Sequence, residues 1–131
     1  MKQIMLGRSS IEASRIALGC MRLSDDQEEA MRTVEAALDQ GIDFFDHANI
    51  YGNGQREAIF SALWERSPHL RQEILVQTKC GIRFPGDPRP DSPGRYDFSY
   101  QHIMRSVEGS LKRLKTDYLD LMLIHWPVDE I

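Results

Sequence analysis

The chain has 131 residues, 41% of them hydrophobic, and a formal net charge of −4, which describes one soluble globular domain at most. No basic cluster is longer than Lys112-Arg113, so there is no electrostatic ground for nucleic acid or an anionic membrane as a partner. Two cysteines, Cys20 and Cys80, are too few for a disulfide scaffold and match no zinc spacing. Free thiols are expected, with no metal site at His47, His69 or His102. No long apolar run follows Met1-Lys2, so neither a signal peptide nor a membrane span is expected, and a cytoplasmic address is the default.

In chain order, short apolar runs alternate with amphipathic stretches of helical period, the pattern of a parallel sheet built from βα units. A hairpin turning near Gly7 to Ser10 and returning through Ile11 leads into a first strand, Arg15 to Gly19; such a hairpin could plug one end of a barrel. A helix from about Asp26, capped by Asp25 or Asp26, puts Ala30, Val34, Ala37 and Leu38 on one face before Gly41 stops it. The second strand is Ile42 to Asp46. After the turn-rich Tyr51-Gly52-Asn53-Gly54, the spacing of Ile59, Phe60, Leu63 and Trp64 predicts a second helix ending before Ser67-Pro68. The third strand is Ile74 to Lys79. From Cys80 to Tyr100 the prolines Pro85, Pro88, Pro90 and Pro93 predict a long irregular loop. It reads either as a surface excursion or, given its length, as a wall of a pocket. Ile103, Val107, Leu111 and Leu114 mark a third helix, and Tyr118 to Ile124 an almost wholly apolar fourth strand.

The polar residues that need explaining sit at the carboxyl ends of these strands. Asp46 ends the second, Tyr51 lies just beyond it, Lys79 ends the third and His125 follows the fourth. Parallel α/β folds bind ligands at this end, where loops vary without disturbing the packed layers. Period-two alternation puts Leu75, Gln77 and Lys79 on one face, Phe44 with Asp46, and Leu121, Leu123 and His125 together. Gln77 is awkward there, because an inward amide needs a hydrogen-bonding partner and the sequence offers none. Singly, each site residue has a plainer explanation: Asp46 as a cap, Tyr51 as a wedge under a loop, Lys79 as solvated, His125 as a core histidine. Cys20 and Cys80 follow strands separated by the second strand, about 9 to 10 Å apart, too far for a disulfide.

A series of ordered motifs carries a resemblance. Phe45-Asp46-His47-Ala48-Asn49-Ile50-Tyr51-Gly52, Thr78-Lys79-Cys80 and Leu123-Ile124-His125-Trp126-Pro127, with the opening Leu6-Gly7-Arg8 and Ile16-Ala17-Leu18-Gly19-Cys20-Met21, are similar in order and spacing to those of the aldo-keto reductases. The Asp46-His47-Ala48 form departs from the commoner Asp-Thr-Ala and resembles bacterial members. The resemblance implies an α/β fold of the (β/α)8 TIM-barrel type, with residues 1–131 as the N-terminal half of the domain: hairpin, strands one to four and helices one to three. It also implies an NADPH-dependent oxidoreductase that reduces aldehydes or ketones to alcohols.

Within that family pattern Asp46, Tyr51, Lys79 and His125 form the catalytic tetrad. Tyr51 is the general acid for the developing alkoxide, Lys79 stabilises its phenolate, Asp46 holds Lys79, and His125 orients the carbonyl. Gly19, Cys20, Met21 and Asp46 are expected beside the cofactor. Trp126 either lines the substrate pocket or covers the rim. An eight-stranded barrel takes about 250 residues, so the contacts to the cofactor phosphates belong to the other half, and exposed strand edges favour self-association or pairing with that half. Two other readings stand beside this one: a half-barrel acting as a binding or regulatory module, and a barrel enzyme using Lys79 as a Schiff-base nucleophile.

Overall fold

The computed structural model describes residues 1–126; Pro127, the last residue of the Leu123-Ile124-His125-Trp126-Pro127 motif, lies outside them. Eight strands and five α-helices follow in order: β1 (Gln3–Met5), β2 (Glu12–Ser14), β3 (Leu18–Gly19), α1 (Gln27–Asp39), β4 (Phe44–Asp46), α2 (Gln55–Phe60), α3 (Ala62–Arg66), α4 (Leu70–Glu73), β5 (Leu75–Cys80), β6 (Ile82–Arg83), β7 (Arg95–Tyr96), α5 (Tyr100–Leu114) and β8 (Leu121–Ile124). Single 3-10 turns occupy Cys20–Arg22 and Tyr51–Gly54. The central sheet runs β3-β4-β5-β8, every pair parallel. Parallel strands in chain order, joined through helices, are the arrangement of one part of a TIM barrel.

Burial shows which way the sheet faces. Along β5 the residues alternate, with Val76, Thr78 and Cys80 buried and Leu75, Gln77 and Lys79 only half-buried. The buried face packs on the helices: Phe45 and Val76 meet Ala30, Met31 and Val34 of α1, with Phe60 and Leu63 of the second helical segment, in one core. Full burial of a side chain such as Phe45 or Val76 is worth about 1.5–3 kcal/mol. The other face, carrying Phe44, Asp46, Gln77 and Lys79, stays half-exposed, and Leu123 and Ile124 on the edge strand β8 are exposed. This face of the sheet is therefore open to solvent among the described residues.

Local chemistry sets the boundaries. Asp26 caps α1, its side chain accepting from the Glu29 N–H, and Ser99 caps α5 by accepting from the His102 N–H. The hairpin forms as expected, β1 antiparallel to β2. The second strand begins only at Phe44 and the fourth only at Leu121, later than Ile42 and Tyr118, and three further expectations need correction. The first strand is only Leu18–Gly19, because the Arg15 N–H is taken by the Lys2 carbonyl of the hairpin and Ile16 is exposed. The second helix is broken at Ser61, whose hydroxyl bonds back to the Ala58 carbonyl at 2.7 Å, a local alternative to the helical ladder. The Pro/Gly-rich loop is not wholly irregular, since β6 and β7 pair within it.

That excursion is anchored from within. The half-turn at Gly81 has φ +120°, and a Cβ there would meet the Phe98 ring at 2.3 Å, so glycine alone fits. Buried Arg83 binds Asp97 at 2.9 Å and donates to His102 Nδ1 at 3.1 Å, tying the loop to α5. Among the described residues no helix is long and apolar enough to cross a membrane.

Candidate active site

The chain leaves β4 at Asp46 without leaving β5. The His47 N–H donates to the Gln77 carbonyl at 2.8 Å and the Asn49 N–H to the Lys79 carbonyl at 3.0 Å. The 3-10 turn of Tyr51–Gly54 then swings the phenol over the strand ends; Gly52 (φ 57°), Asn53 (φ 53°) and Gly54 (φ 88°) all take left-handed backbone there. At Gly54 an added Cβ would meet Arg113 Cδ at 2.8 Å, so the turn can be packed this closely only with glycine.

Lys79 is the hub. Its Nζ lies 2.7 Å from Asp46 Oδ1, 2.8 Å from the His47 carbonyl and 3.2 Å from the Tyr51 hydroxyl, so its three protons have three acceptors. The lysine side chain is 14% exposed, which strengthens these charge-assisted contacts relative to open water. His125 is joined to β5 by its backbone N–H, which donates to the Cys80 carbonyl at 2.8 Å. Its ring stands edge-on to Tyr51, centroids 6.1 Å apart, and its Nδ1 is buried without a hydrogen-bond partner among the described residues. Burial, then the Lys79 charge, hold the His125 pKa below its ordinary value against the opposing pull of Asp46. The imidazole is neutral near pH 7 and offers a single N–H.

The structure thus brings Asp46, Tyr51, Lys79 and His125 into one cluster at the carboxyl ends of β4, β5 and β8. The other expected site residues fall around it unevenly. Gly19 stands opposite Asp46 in the β3–β4 register, with open space where a side chain would be, and Met21 is exposed. Cys20 is fully buried in the helix-side core, with its Sγ near the Leu18 carbonyl, and no part of it is exposed at the rim. Trp126 is 64% exposed, with φ +57°, and stacks on His125 at 6.3 Å. The excursion loop walls a cleft of about 420 Å³ with Asn49, Ile50 and Asn53 on one side and Phe84 and His102 on the other. These residues flank Tyr51, but Tyr51 itself does not line the cleft.

The sequence reading left Gln77 without its partner and missed the parts played by Glu57 and His47. Gln77, left without a partner there, donates to Asp46 Oδ1 at 2.5 Å; the signal was the parallel pairing that sets it opposite Asp46. Glu57 is fully buried and accepts from Thr78 Oγ1 at 2.6 Å and Arg113 Nε at 2.7 Å; a charge three residues before Phe60, on the apolar face of a helix, was the signal. His47 is also fully buried, its ring edge-on to Phe60 at 4.6 Å, and no pattern in the sequence marked it as interior.

Fold and cluster together define a β/α-barrel protein with a lysine-held tyrosine at its strand ends. The chain belongs to the aldo/keto reductase family, whose model matches residues 15–130. It is 40% identical over 131 residues to an uncharacterized oxidoreductase, YcsN, of Bacillus subtilis, covering 97% of this chain and 43% of that protein. A 6-dehydroglucose reductase of Agrobacterium fabrum is 39% identical over 132 residues, covering 97% of this chain and 44% of its own. Among solved structures, the holo form of an aldo-keto reductase from Bacillus halodurans superposes with a TM-score of 0.82 at 34% identity, over 95% of this chain and 40% of that one. The chain therefore spans less than half the length of these relatives.

Proposed function

We propose that the protein carrying this chain is an NADPH-dependent reductase that converts an aldehyde or ketone to an alcohol, with Tyr51 as the proton donor. The observation that carries the reading is the Tyr51 hydroxyl at 3.2 Å from a lysine Nζ that is itself bound to Asp46 at 2.7 Å. Family membership adds a nicotinamide cofactor, and the residues at the rim fit one: the open space at Gly19 and exposed Met21 would hold its nicotinamide end, beside Asp46, with buried Cys20 between them in the chain. When bound, the reduced nicotinamide supplies hydride to the carbonyl carbon.

The remaining work belongs to this chain. Tyr51 gives its hydroxyl proton to the carbonyl oxygen as negative charge develops there. Lys79 donates to the phenolate left behind, and Asp46 keeps the ammonium in place. Neutral His125 offers an N–H to the same carbonyl oxygen and orients it, while the Trp126 indole, stacked on His125, forms a side of the substrate pocket. All three Lys79 protons have acceptors, one of them the Asp46 carboxylate, so the nitrogen turns no lone pair toward a substrate carbonyl. That disfavours its use as a Schiff-base nucleophile, which requires the free amine.

The half-exposed face of Asp46, Gln77 and Lys79 and the open edge of β8 call for a cover, either further βα units of the same protein or a second copy. A cytoplasmic address fits such an enzyme. The reading is tested by following NADPH oxidation by the whole protein with a panel of small aldehydes, beside Tyr51→Phe and Lys79→Met. Turnover that both substitutions abolish is the expected result. Turnover with borohydride-trappable substrate on Lys79 and no use of NADPH would instead give the Schiff-base chemistry.

A further inference from the structure

One feature of the open face has no explanation in packing. Gln77 lies mid-strand on β5, two residues before Lys79, between half-buried Leu75 and the lysine stem. A leucine would fill nearly the same volume without bringing an inward amide that must be satisfied. The amide is satisfied in one particular way: Nε2 donates to Asp46 Oδ1 at 2.5 Å, the oxygen that also takes the Lys79 ammonium at 2.7 Å. Register explains the reach, since Asp46 and Gln77 are direct partners across the β4–β5 pair.

A carboxylate held only by a lysine is poorly fixed, because the ammonium rides on a flexible four-carbon stem and the two can swing together. A second donor from a stiff strand position removes that freedom. We propose that Gln77 is a positioning residue of the site: it fixes the Asp46 carboxylate with Oδ1 turned to Lys79, and so keeps the ammonium on the Tyr51 hydroxyl. The proposal rests on the reading of Tyr51 as the acid. Gln77 itself touches neither substrate nor cofactor in this scheme.

Two substitutions in the whole protein separate positioning from packing. Gln77→Leu keeps volume and removes the donor, so kcat falls roughly tenfold to a hundredfold, while KM for the carbonyl and the thermal midpoint change little. Gln77→Glu removes the donor only while the introduced carboxyl is ionised; protonated, it again has an O–H to give Asp46. The ratio of its kcat to that of the wild type therefore rises as pH falls. Asp46, Tyr51, Lys79 and His125, the ionisable groups around it, are common to both proteins and cancel in the ratio to first order. A purely structural role predicts lowered thermal midpoints and a ratio flat in pH, and that result would overturn the proposal.

If the wild type reduces no carbonyl with NADPH, the functional reading fails, yet the positioning claim is still decided by nitrogen-15 NMR of lysine-labelled protein. The Lys79 ammonium, assigned by its loss in Lys79→Met, is expected to be protected from exchange in the wild type and unprotected in Gln77→Leu. Equal protection in the two, or protection in neither, overturns it.

Discussion

Thr78 Oγ1 donates to the carboxylate of Glu57 at 2.6 Å, so the residue beside Lys79 on β5 is bonded to the helix that follows Tyr51. Both side chains are fully buried. Alternation along β5 sends Lys79 toward the open face and Thr78 toward the helices, so the strand that places the ammonium is gripped from behind. Glu57 closes the arrangement by binding Arg113 of α5 at 2.7 Å, and Arg113 in turn packs over Gly54 of the Tyr51 turn.

The two ends of that ion pair are unequal, since Arg113 is 33% exposed and Glu57 not at all. Removing the arginine strands a buried carboxylate, whereas altering the glutamate leaves a guanidinium that can turn to water. Arg113→Met is expected to lower stability by about 3–5 kcal/mol, and Glu57→Gln by about 1–3 kcal/mol. Urea unfolding of the two variants measures this, and equal losses would contradict the burial argument.

His47 predicts an acid sensitivity. Its ring nitrogens are buried with no hydrogen-bond partner among the described residues, and burial lowers its pKa from 6.5 to about 3, with Asp46 opposing and Lys79 adding to the shift. Below about pH 6.5 the unfolded chain takes up a proton that the folded chain refuses until about pH 3. Stability is unaffected near pH 7 and falls with pH through that window, by up to about 1.4 kcal/mol per pH unit from this group. His102 and His125, also lowered, act in the same direction. His47→Leu is expected to gain stability over the wild type, with a gap that widens between about pH 7 and about pH 5. A gap independent of pH would show that His47 is not held neutral.

Both thiols are expected to be inert in the folded protein. Cys20 and Cys80 are free and buried, and burial raises the pKa of each, with the Asp46 charge adding to the rise at Cys20. The reactive thiolate is thus scarce at neutral pH. Alkylation followed by peptide mapping should leave Cys20 and Cys80 unmodified in native buffer and modify both once denaturant is added; rapid modification of either in native buffer would contradict this.

The strands, helices and cluster were legible because each left a periodic or positional mark. Val76 and Thr78 against Gln77 and Lys79 show the two faces of β5 in the letters alone, and the pair Asp25-Asp26 announces the start of α1, with Asp26 the one that caps it. What stayed hidden depended on pairing between distant segments. The Gln77 amide makes sense only once Asp46 lies opposite it, and Glu57 only once Thr78 and Arg113 converge on it. The first strand read too long because the Arg15 N–H has a rival acceptor in Lys2. The β6–β7 pair was missed because two-residue strands flanked by prolines carry too little pattern to register.

The central claim, proton delivery by Tyr51 to a carbonyl that receives hydride from NADPH, is tested most directly with cofactor deuterated at its transferable position. The whole protein should place deuterium on the carbinol carbon of the alcohol formed from a small aldehyde, and Tyr51→Phe should slow that transfer by about two to four orders of magnitude. Deuterium absent from the product, or transfer at an undiminished rate in Tyr51→Phe, would contradict it.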